Sequence, residues 1–250
     1  MSRITQKSAV GPLSLVANGT FQTSTDTSLE TLVGTRFDTS DGRELILVQA
    51  GAVAVDAGKL YQDAAVVANH VNIAVTAFTA YSNNGNVPAK VTVTLGAIAV
   101  TANQYAGGFL LVNDNAGEGQ TLRIASHPAA NASASLVVTL EDAPLTDITT
   151  ASEVTLLPAH GNGVIVAPTT LTGALCGVSL YTIAIGAYGF LVTKGVTACL
   201  NDGALTIGSA VSPSNAVAGA VENGVIAQGF VGQAVYTGVD TEYRPIFVNL

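Results

Sequence analysis

The stretch Leu32–Gln49, which reads LVGTRFDTSDGRELILVQ, decides the fold class of this chain. Within it, the short runs Leu32–Phe37 and Glu44–Gln49 flank the dipeptide Asp41-Gly42. An Asp-Gly pair between two runs of strand length is a strong β-hairpin signal, because glycine readily adopts the positive φ that tight turns require. The stretch therefore predicts two antiparallel strands joined by a turn.

The same pattern continues on both sides of this hairpin. Val91–Leu95 alternates apolar residues with threonine, which is the period of a strand with one buried face. Turn signals recur about every 8–12 residues, the spacing of sandwiches and barrels, and most of the 26 glycines separate the apolar runs. We therefore predict an all-β fold of glycine-rich β-barrel or β-sandwich modules. Residues 60–72 are the best helix candidate, although Asp63–Ala68 also suits a strand.

Composition changes along the chain suggest three parts. Residues 1–33 are predicted to form an extended N-terminal arm, because Asn18–Ser28 is dominated by Thr, Ser, Gly and Asn without a helical stripe. Residues 34–80 and 165–250 share a glycine-punctuated style and are predicted to form one β-barrel-like module. Residues 81–164 would then be a second β module inserted into the first.

Charge limits the classes of partner. Only 10% of the residues are charged, 48% are hydrophobic, and the formal net charge is −8. The nine Lys and Arg residues do not cluster, so the chain lacks the basic face that nucleic acid or an anionic membrane requires. A surface so poor in charge favours association with copies of itself or with another protein.

Localisation and redox state follow from similarly simple features. The N-terminus lacks an apolar signal core, and no apolar run approaches 18 residues, so we expect a protein made in the host cytoplasm and soluble there. Cys176 and Cys199 have no metal-binding or redox spacing. Two buried free thiols are expected, with a disulfide as the alternative.

Groups for catalysis are few and scattered. His70, His127 and His160 lie far apart, and each is interpreted as a polar residue without a partner. The loop Asn113–Glu118 offers oxygen ligands for calcium but does not match the spaced calcium loop, so a plain turn is expected. No nucleophile, phosphate-binding or dinucleotide motif is present.

Acidic residues do not form a catalytic pair either. Glu141 and Asp142 are adjacent, so on a strand they would point to opposite faces, and Asp147 lies beyond Pro144. The expectation is therefore a protein that is not an enzyme, with no catalytic residues, no cofactor and no metal.

Ordered landmarks give the chain a resemblance to a known family. They are residues 34–37, 41–43, 105–120, 188–195 and 229–234. These glycine-punctuated segments resemble tailed-phage capsid decoration proteins, also called cement or auxiliary head proteins, and the resemblance covers about residues 34–250. No single segment is a signature, so no binding residue can be transferred from the family.

The resemblance implies a structural virion protein on the capsid exterior. Its partners would be the major capsid protein and itself, as a symmetric homotrimer, and an N-terminal arm would lie along a neighbour. Two alternatives remain: another virion component of the tail, neck or fibre base, or a carbohydrate-binding module or adhesin. The adhesin would need exposed aromatic residues, for which Tyr81, Tyr105 and Tyr188 are the candidates.

Overall fold

The computed structural model describes residues 4–6, 16–17, 20–21, 23–224 and 228–250. These residues are almost entirely β-structure, which confirms the predicted fold class. The chain divides into two compact units. Unit 1 contains Met1–Ala65 and His160–Leu250, and unit 2 is the intervening segment Val66–Ala159.

The elements follow one another along the chain in three groups. Unit 1 begins with β1 Ile4–Gln6, β2 Val16–Ala17, β3 Thr20–Phe21, the 3-10 helix Thr27–Leu32, β4 Arg36–Thr39, β5 Glu44–Gln49 and β6 Leu60–Gln62. Unit 2 contains the 3-10 helix Ala68–His70, β7 Ile73–Thr79, β8 Lys90–Thr94, β9 Phe109–Val112, β10 Thr121–Ser126, β11 Ser135–Leu140 and β12 Glu153–Leu157. Unit 1 then resumes with β13 Ile165–Val166, β14 Leu175–Ser179, β15 Tyr188–Leu200, β16 Ala210–Pro213, β17 Val221–Asn223, β18 Gly232–Ala234 and β19 Tyr243–Asn249.

Unit 1 is a curled eleven-stranded sheet organised around the predicted hairpin and the long strand β15. Strands β4 and β5 are antiparallel, with Asp38 opposite Glu44, and Gly42 in the turn has φ 82°. The first half of β15 pairs with β5, and its second half pairs with β19. The strand changes partners next to Gly195, whose φ of 108° suits glycine.

Unit 2 is a closed antiparallel barrel in the order β10-β11-β8-β7-β12-β9. Val91 and Val93 of β8 are fully buried, whereas Thr92 and Thr94 between and after them are more exposed. This confirms the predicted alternation. Closure joins every barrel strand to two neighbours, so the barrel has no open sheet edge.

The predicted helix at residues 60–72 is wrong. Leu60–Gln62 forms β6, which pairs with β13 and β14, and only Ala68–His70 is helical, as a single 3-10 turn. All three residues of β6 are buried. Pairing on both edges of this strand therefore outweighs the local helical preference of the alanine-rich segment.

Part of the predicted N-terminal arm lies within the described residues and belongs to unit 1. Ser24 forms backbone hydrogen bonds with Tyr188, and the side chains of Leu29 and Val33 are buried. Residues 23–33 therefore pack on unit 1, and Ile4–Gln6 pair with β4. The rest of the predicted arm, residues 1–3, 7–15, 18–19 and 22, lies outside the described residues.

The boundaries of the inserted unit also differ from the predicted limits at 81 and 164. Ile73–Thr79 forms β7, which pairs with β8 and β12 inside the barrel. At the other end, Gly161 O accepts a hydrogen bond from Gln49 N in unit 1, and Val164 forms a bridge with Ala50. The barrel therefore takes up residues 66–159, and the return to unit 1 starts at His160.

Candidate functional site

Two of the three histidines belong to a buried polar network in unit 2. Tyr105 Oη lies 2.5 Å from His70 Nδ1, and Tyr105 N donates to His127 Nε2 over 2.9 Å. The other ring nitrogens face backbone carbonyls, those of Ile98 and Pro128. Each ring thus has one donor and one acceptor position, as a neutral histidine requires. These two residues hold the barrel core and are closed to solvent.

The loop Asn113–Glu118 uses its polar atoms within unit 2. Asn113 Oδ1 accepts from Thr155 Oγ1, and Asp114 Oδ1 accepts from Glu153 N, both over 2.9 Å. Asn115 Nδ2 donates to the Ala151 carbonyl. These bonds fasten the loop to β12 and to the segment just before it.

The aromatic residues predicted for sugar binding do not form a platform. Tyr105 and Tyr188 are buried, in unit 2 and unit 1 respectively. Tyr81 is exposed, but its hydroxyl bonds to Asn86 Oδ1 within its own turn. Glu141 forms an ion pair with Arg123 on the barrel surface, which explains its placement without a catalytic role.

The third histidine belongs to a cluster that the sequence did not reveal. In unit 1, Asp63, His160 and Cys176 bring one carboxylate, one imidazole and one thiol within 4.8 Å of one another. Asp63 Oδ2 lies 2.7 Å from His160 Nδ1, and Asp63 Oδ1 accepts from Cys176 Sγ over 3.1 Å. Across the described residues, this is the only group of three or more such side chains that converge in this way.

The backbone of three segments fixes this cluster. Asp63 follows β6, and its N–H donates to Ala174 O just before β14. Cys176 sits at the register shift between Leu175 and Gly177, and such a bulge re-aims the side chain. Gly161, at φ 87°, donates its N–H to Asp63 Oδ1 over 2.7 Å. A Cβ on Gly161 would lie 2.9 Å from Val48 Cγ1, so only glycine fits this position without a shift.

The buried side-chain amide of Gln62 supports the backbone next to the Asp63 carboxylate. Gln62 is fully buried, and its Nε2 donates to the Asp63 carbonyl over 3.1 Å and to Thr172 Oγ1 over 2.8 Å. Its Oε1 accepts from Thr172 N. Such outer partners fix the orientation of the groups that they support.

The electrostatics of the cluster argue against a cysteine nucleophile. Burial, the Asp63 charge and the hydrogen bond to Asp63 raise the pKa of the Cys176 thiol well above its usual value. Burial also acts to raise the pKa of Asp63, but the hydrogen bonds from His160 and Gly161 outweigh it and lower that pKa. His160 Nδ1 faces the carboxylate and lies 3.9 Å from Cys176 Sγ. The group that accepts the thiol hydrogen bond is thus a carboxylate of lowered pKa, which is a weak base for the thiol proton.

No sequence signal pointed to this cluster. His160 and Cys176 are 16 positions apart, and Asp63 and His160 are 97 positions apart. The bulge that turns Cys176 towards Asp63 arises from strand pairing, which a single sequence does not display. The second cysteine, Cys199, is also a free thiol, and it is buried in a different apolar cluster of unit 1 from Cys176.

A second candidate site is the outer face of the paired strands β15 and β19. We use this name for Val196, Ala198, Tyr243, Pro245 and Phe247. Val196 lies opposite Phe247, and Ala198 lies opposite Pro245. The alternate residues Thr197, Cys199, Ile246 and Val248 point to the buried side. The exposed fractions of Val196, Tyr243 and Phe247 are 48%, 51% and 40%, so a row of apolar side chains faces solvent.

Two depressions make the surface of the outer face uneven. One, of about 330 Å³, lies between the turn Asp41–Arg43 and the side chains of Val196 and Phe247. The other, of about 550 Å³, is lined by Ala198, Tyr243 and neighbouring residues that include Gly58 and Leu180. Depressions of this kind let protruding side chains of a partner pack into the outer face.

Comparisons with known proteins found no match for this chain. No protein-family model matches it, and searches of curated proteins and of solved structures found no match. Within the described ranges, no helix has the length and apolar character needed to cross a lipid bilayer.

Proposed function

We propose that this chain is a structural virion protein that binds the outer surface of a phage capsid and stabilises it as a symmetric homo-oligomer, with a trimer as the expected state. The outer face of unit 1 is the observation that carries this proposal. It combines exposed apolar side chains on two rigid paired strands with depressions that a partner can fill. A contiguous apolar surface of this kind is typical of protein interfaces.

The occupant that best fits the outer face is another copy of the chain. Charged side chains at its rim are neutralised within the protein: Lys194 lies 4.0 Å from Glu44, and Arg43 pairs with Asp41 over 2.6 Å. A balanced rim does not repel an identical rim, whereas a rim of one sign would. Closed symmetry then lets every copy bury the same apolar face.

Capsid binding fits a different part of unit 1, the sheet edge at β1. The path of the sheet ends at this strand, which pairs with β4 over Ile4–Gln6. An extended segment of a capsid subunit can add to such an edge through backbone hydrogen bonds. Repetition of this modest contact by the symmetry of the shell would give strong overall attachment.

Co-sedimentation with DNA-filled phage heads tests the proposal. We expect the full chain to pellet with the heads and a variant lacking residues 1–22 to remain in the supernatant. The truncation keeps Ser24, Leu29 and Val33, which pack on unit 1, so circular dichroism should show an unchanged β fold. Equal pelleting of both proteins would show that the β1 sheet edge is not needed for capsid binding. Failure of the full chain to pellet would contradict the proposed function.

A further inference from the structure

We propose that Asp63, His160 and Cys176 form a binding site for a divalent transition metal, with Zn²⁺ as the preferred ion. None of these residues belongs to the outer face, so this inference is independent of the proposed function. The ligand atoms would be a carboxylate oxygen of Asp63, Nδ1 of His160 and Sγ of Cys176. This mixture of carboxylate, imidazole and thiolate suits zinc, whereas calcium and magnesium prefer oxygen ligands alone.

The distances between the ligand atoms fit such an ion. Cys176 Sγ lies 3.1 Å from Asp63 Oδ1 and 3.9 Å from His160 Nδ1, and Asp63 Oδ2 lies 2.7 Å from that Nδ1. Bonds of about 2.0–2.3 Å in a tetrahedral zinc site place ligand atoms about 3.3–3.8 Å apart. The Asp63–His160 pair, and to a smaller extent the Asp63–Cys176 pair, must therefore spread for the ion to fit.

Two hydrogen bonds to Asp63 join the three side chains at the position that the ion would occupy. The Cys176 thiol donates to Asp63, and His160 Nδ1 faces the same carboxylate. When Zn²⁺ binds, the Zn–S bond replaces the S–H bond and the thiol proton passes to buffer. A neutral His160 ring offers the Nδ1 lone pair by moving its proton through solvent to Nε2. Its side chain is 35% exposed, which gives solvent and the ion access.

Three protein ligands leave the fourth tetrahedral position for water on the accessible side. The ion would join the segment after β6, strand β14 and the segment before β13, because these carry Asp63, Cys176 and His160 respectively. Asp63 and His160 flank the segment where the chain leaves and re-enters unit 1. A metal that links residues 97 positions apart restricts the unfolded chain strongly, so binding should stabilise unit 1.

Isothermal titration calorimetry with Zn²⁺ on the full chain tests the site. We expect one ion per chain, with affinity reduced more than about 100-fold by Cys176→Ala, because loss of an outer partner alone costs about 10–100-fold. Cys199→Ala is the matched control, since it removes the other buried thiol and should bind like the wild type. No binding by the wild type, or equal binding by Cys176→Ala, would overturn the proposal.

Two further measurements apply if Cys176→Ala does not fold. His160→Gln changes a partly exposed side chain and should abolish the Zn²⁺-dependent rise in Tm that the wild type shows. Co²⁺ bound to the wild-type chain should give a thiolate-to-cobalt charge-transfer band in the near ultraviolet. Cobalt binding without that band, or a full rise in Tm for His160→Gln, would contradict coordination by this cluster.

Discussion

Tyr105 shows how a single hydroxyl can organise a barrel core. It is 1% exposed, its Oη bonds to His70, and its ring lies against the rings of both His70 and His127. Burial raises the pKa of Tyr105 to about 12, so the hydroxyl keeps its proton and donates a hydrogen bond to His70 Nδ1. The side chain thereby fills space and satisfies a buried nitrogen at the same time.

Removal of this hydroxyl should destabilise the barrel. We expect Tyr105→Phe to lower the free energy of unfolding by about 1–3 kcal/mol, because His70 Nδ1 then remains buried without its donor. Tyr81→Phe removes an exposed hydroxyl from the same unit and should change stability by less than about 0.5 kcal/mol. Urea unfolding of both variants would check this, and equal effects would show that the buried bond contributes nothing.

His127 should make stability depend on pH. Burial lowers the pKa of His127 from its usual 6.5, despite the opposing hydrogen bond to the Pro128 carbonyl. Below pH 6.5 the unfolded chain therefore binds a proton that the folded barrel does not. The free energy of unfolding should fall as pH drops from 6.5 through the folded pKa, by at most about 1.4 kcal/mol per pH unit.

A comparison with His127→Gln isolates this contribution. Unfolding at a series of pH values between about 7 and 5.5 should show a shallower pH dependence for the variant, because the titrating group is gone. The difference between the two proteins should level off to a constant offset as pH rises above 6.5, because the unfolded chain then loses its proton as well. Parallel pH profiles over the whole range would refute the role of His127.

At the residue scale, the sequence predicted little of what the side chains contact. It showed where the histidines and cysteines lie along the chain, and it correctly predicted that both thiols are free and buried. It could not show that Tyr105 lies between two histidines or that Asp63 meets Cys176, because these contacts depend on barrel closure and on a bulge in β14. Patterns along a chain report which face is buried, not which distant residue lies there.

At the scale of elements, Gly232 determines how closely β18 approaches β19. A Cβ at this position would lie 1.8 Å from the carbonyl oxygen of Phe247, a backbone atom that cannot turn aside. We expect Gly232→Ala to lower the free energy of unfolding by about 3 kcal/mol, the upper end of the usual cost of overpacking. Gln233→Ala, on an exposed neighbour in the same strand, should stay within about 0.5 kcal/mol. Thermal unfolding of both variants checks this, and an unaffected Gly232→Ala would show that the strands separate at low cost.

Elements with strong local signals were predictable, and elements defined by distant partners were not. The hairpin of β4 and β5 and the alternation in β8 follow directly from turn chemistry and side-chain period. Strand β6 was mistaken for helix, because its identity depends on β13 and β14, more than 100 positions later. The 3-10 helix Thr27–Leu32 was missed because a helix of only six residues leaves no periodic apolar pattern.

At the scale of the whole molecule, the outer face should control assembly. We expect the wild type to sediment as an oligomer and the double variant Val196→Lys, Phe247→Lys to sediment as a monomer, because like charges would replace apolar contacts. Leu145→Lys changes a side chain that is 98% exposed in unit 2 and should leave the oligomer intact. Analytical ultracentrifugation distinguishes these cases. An oligomeric double variant would exclude the outer face, and a monomeric wild type would exclude self-association.

The sequence suggested that one module interrupts another, but it did not predict where the boundaries of the modules lie. A similar glycine-punctuated style at the two ends of the chain suggested one module interrupted by another. The predicted limits near residues 81 and 164 nevertheless lie inside the units, not at the points where the chain passes from one unit to the other. Those points lie where Asp63 and His160 are held by hydrogen bonds, which composition does not reveal.

The most direct test of the proposed function is the position of this chain in a density gradient of lysate from its source. Immunodetection across the fractions should place the chain with DNA-filled heads, in many copies per particle. Recovery only at the top of the gradient, as a free protein, would contradict a role on the capsid exterior.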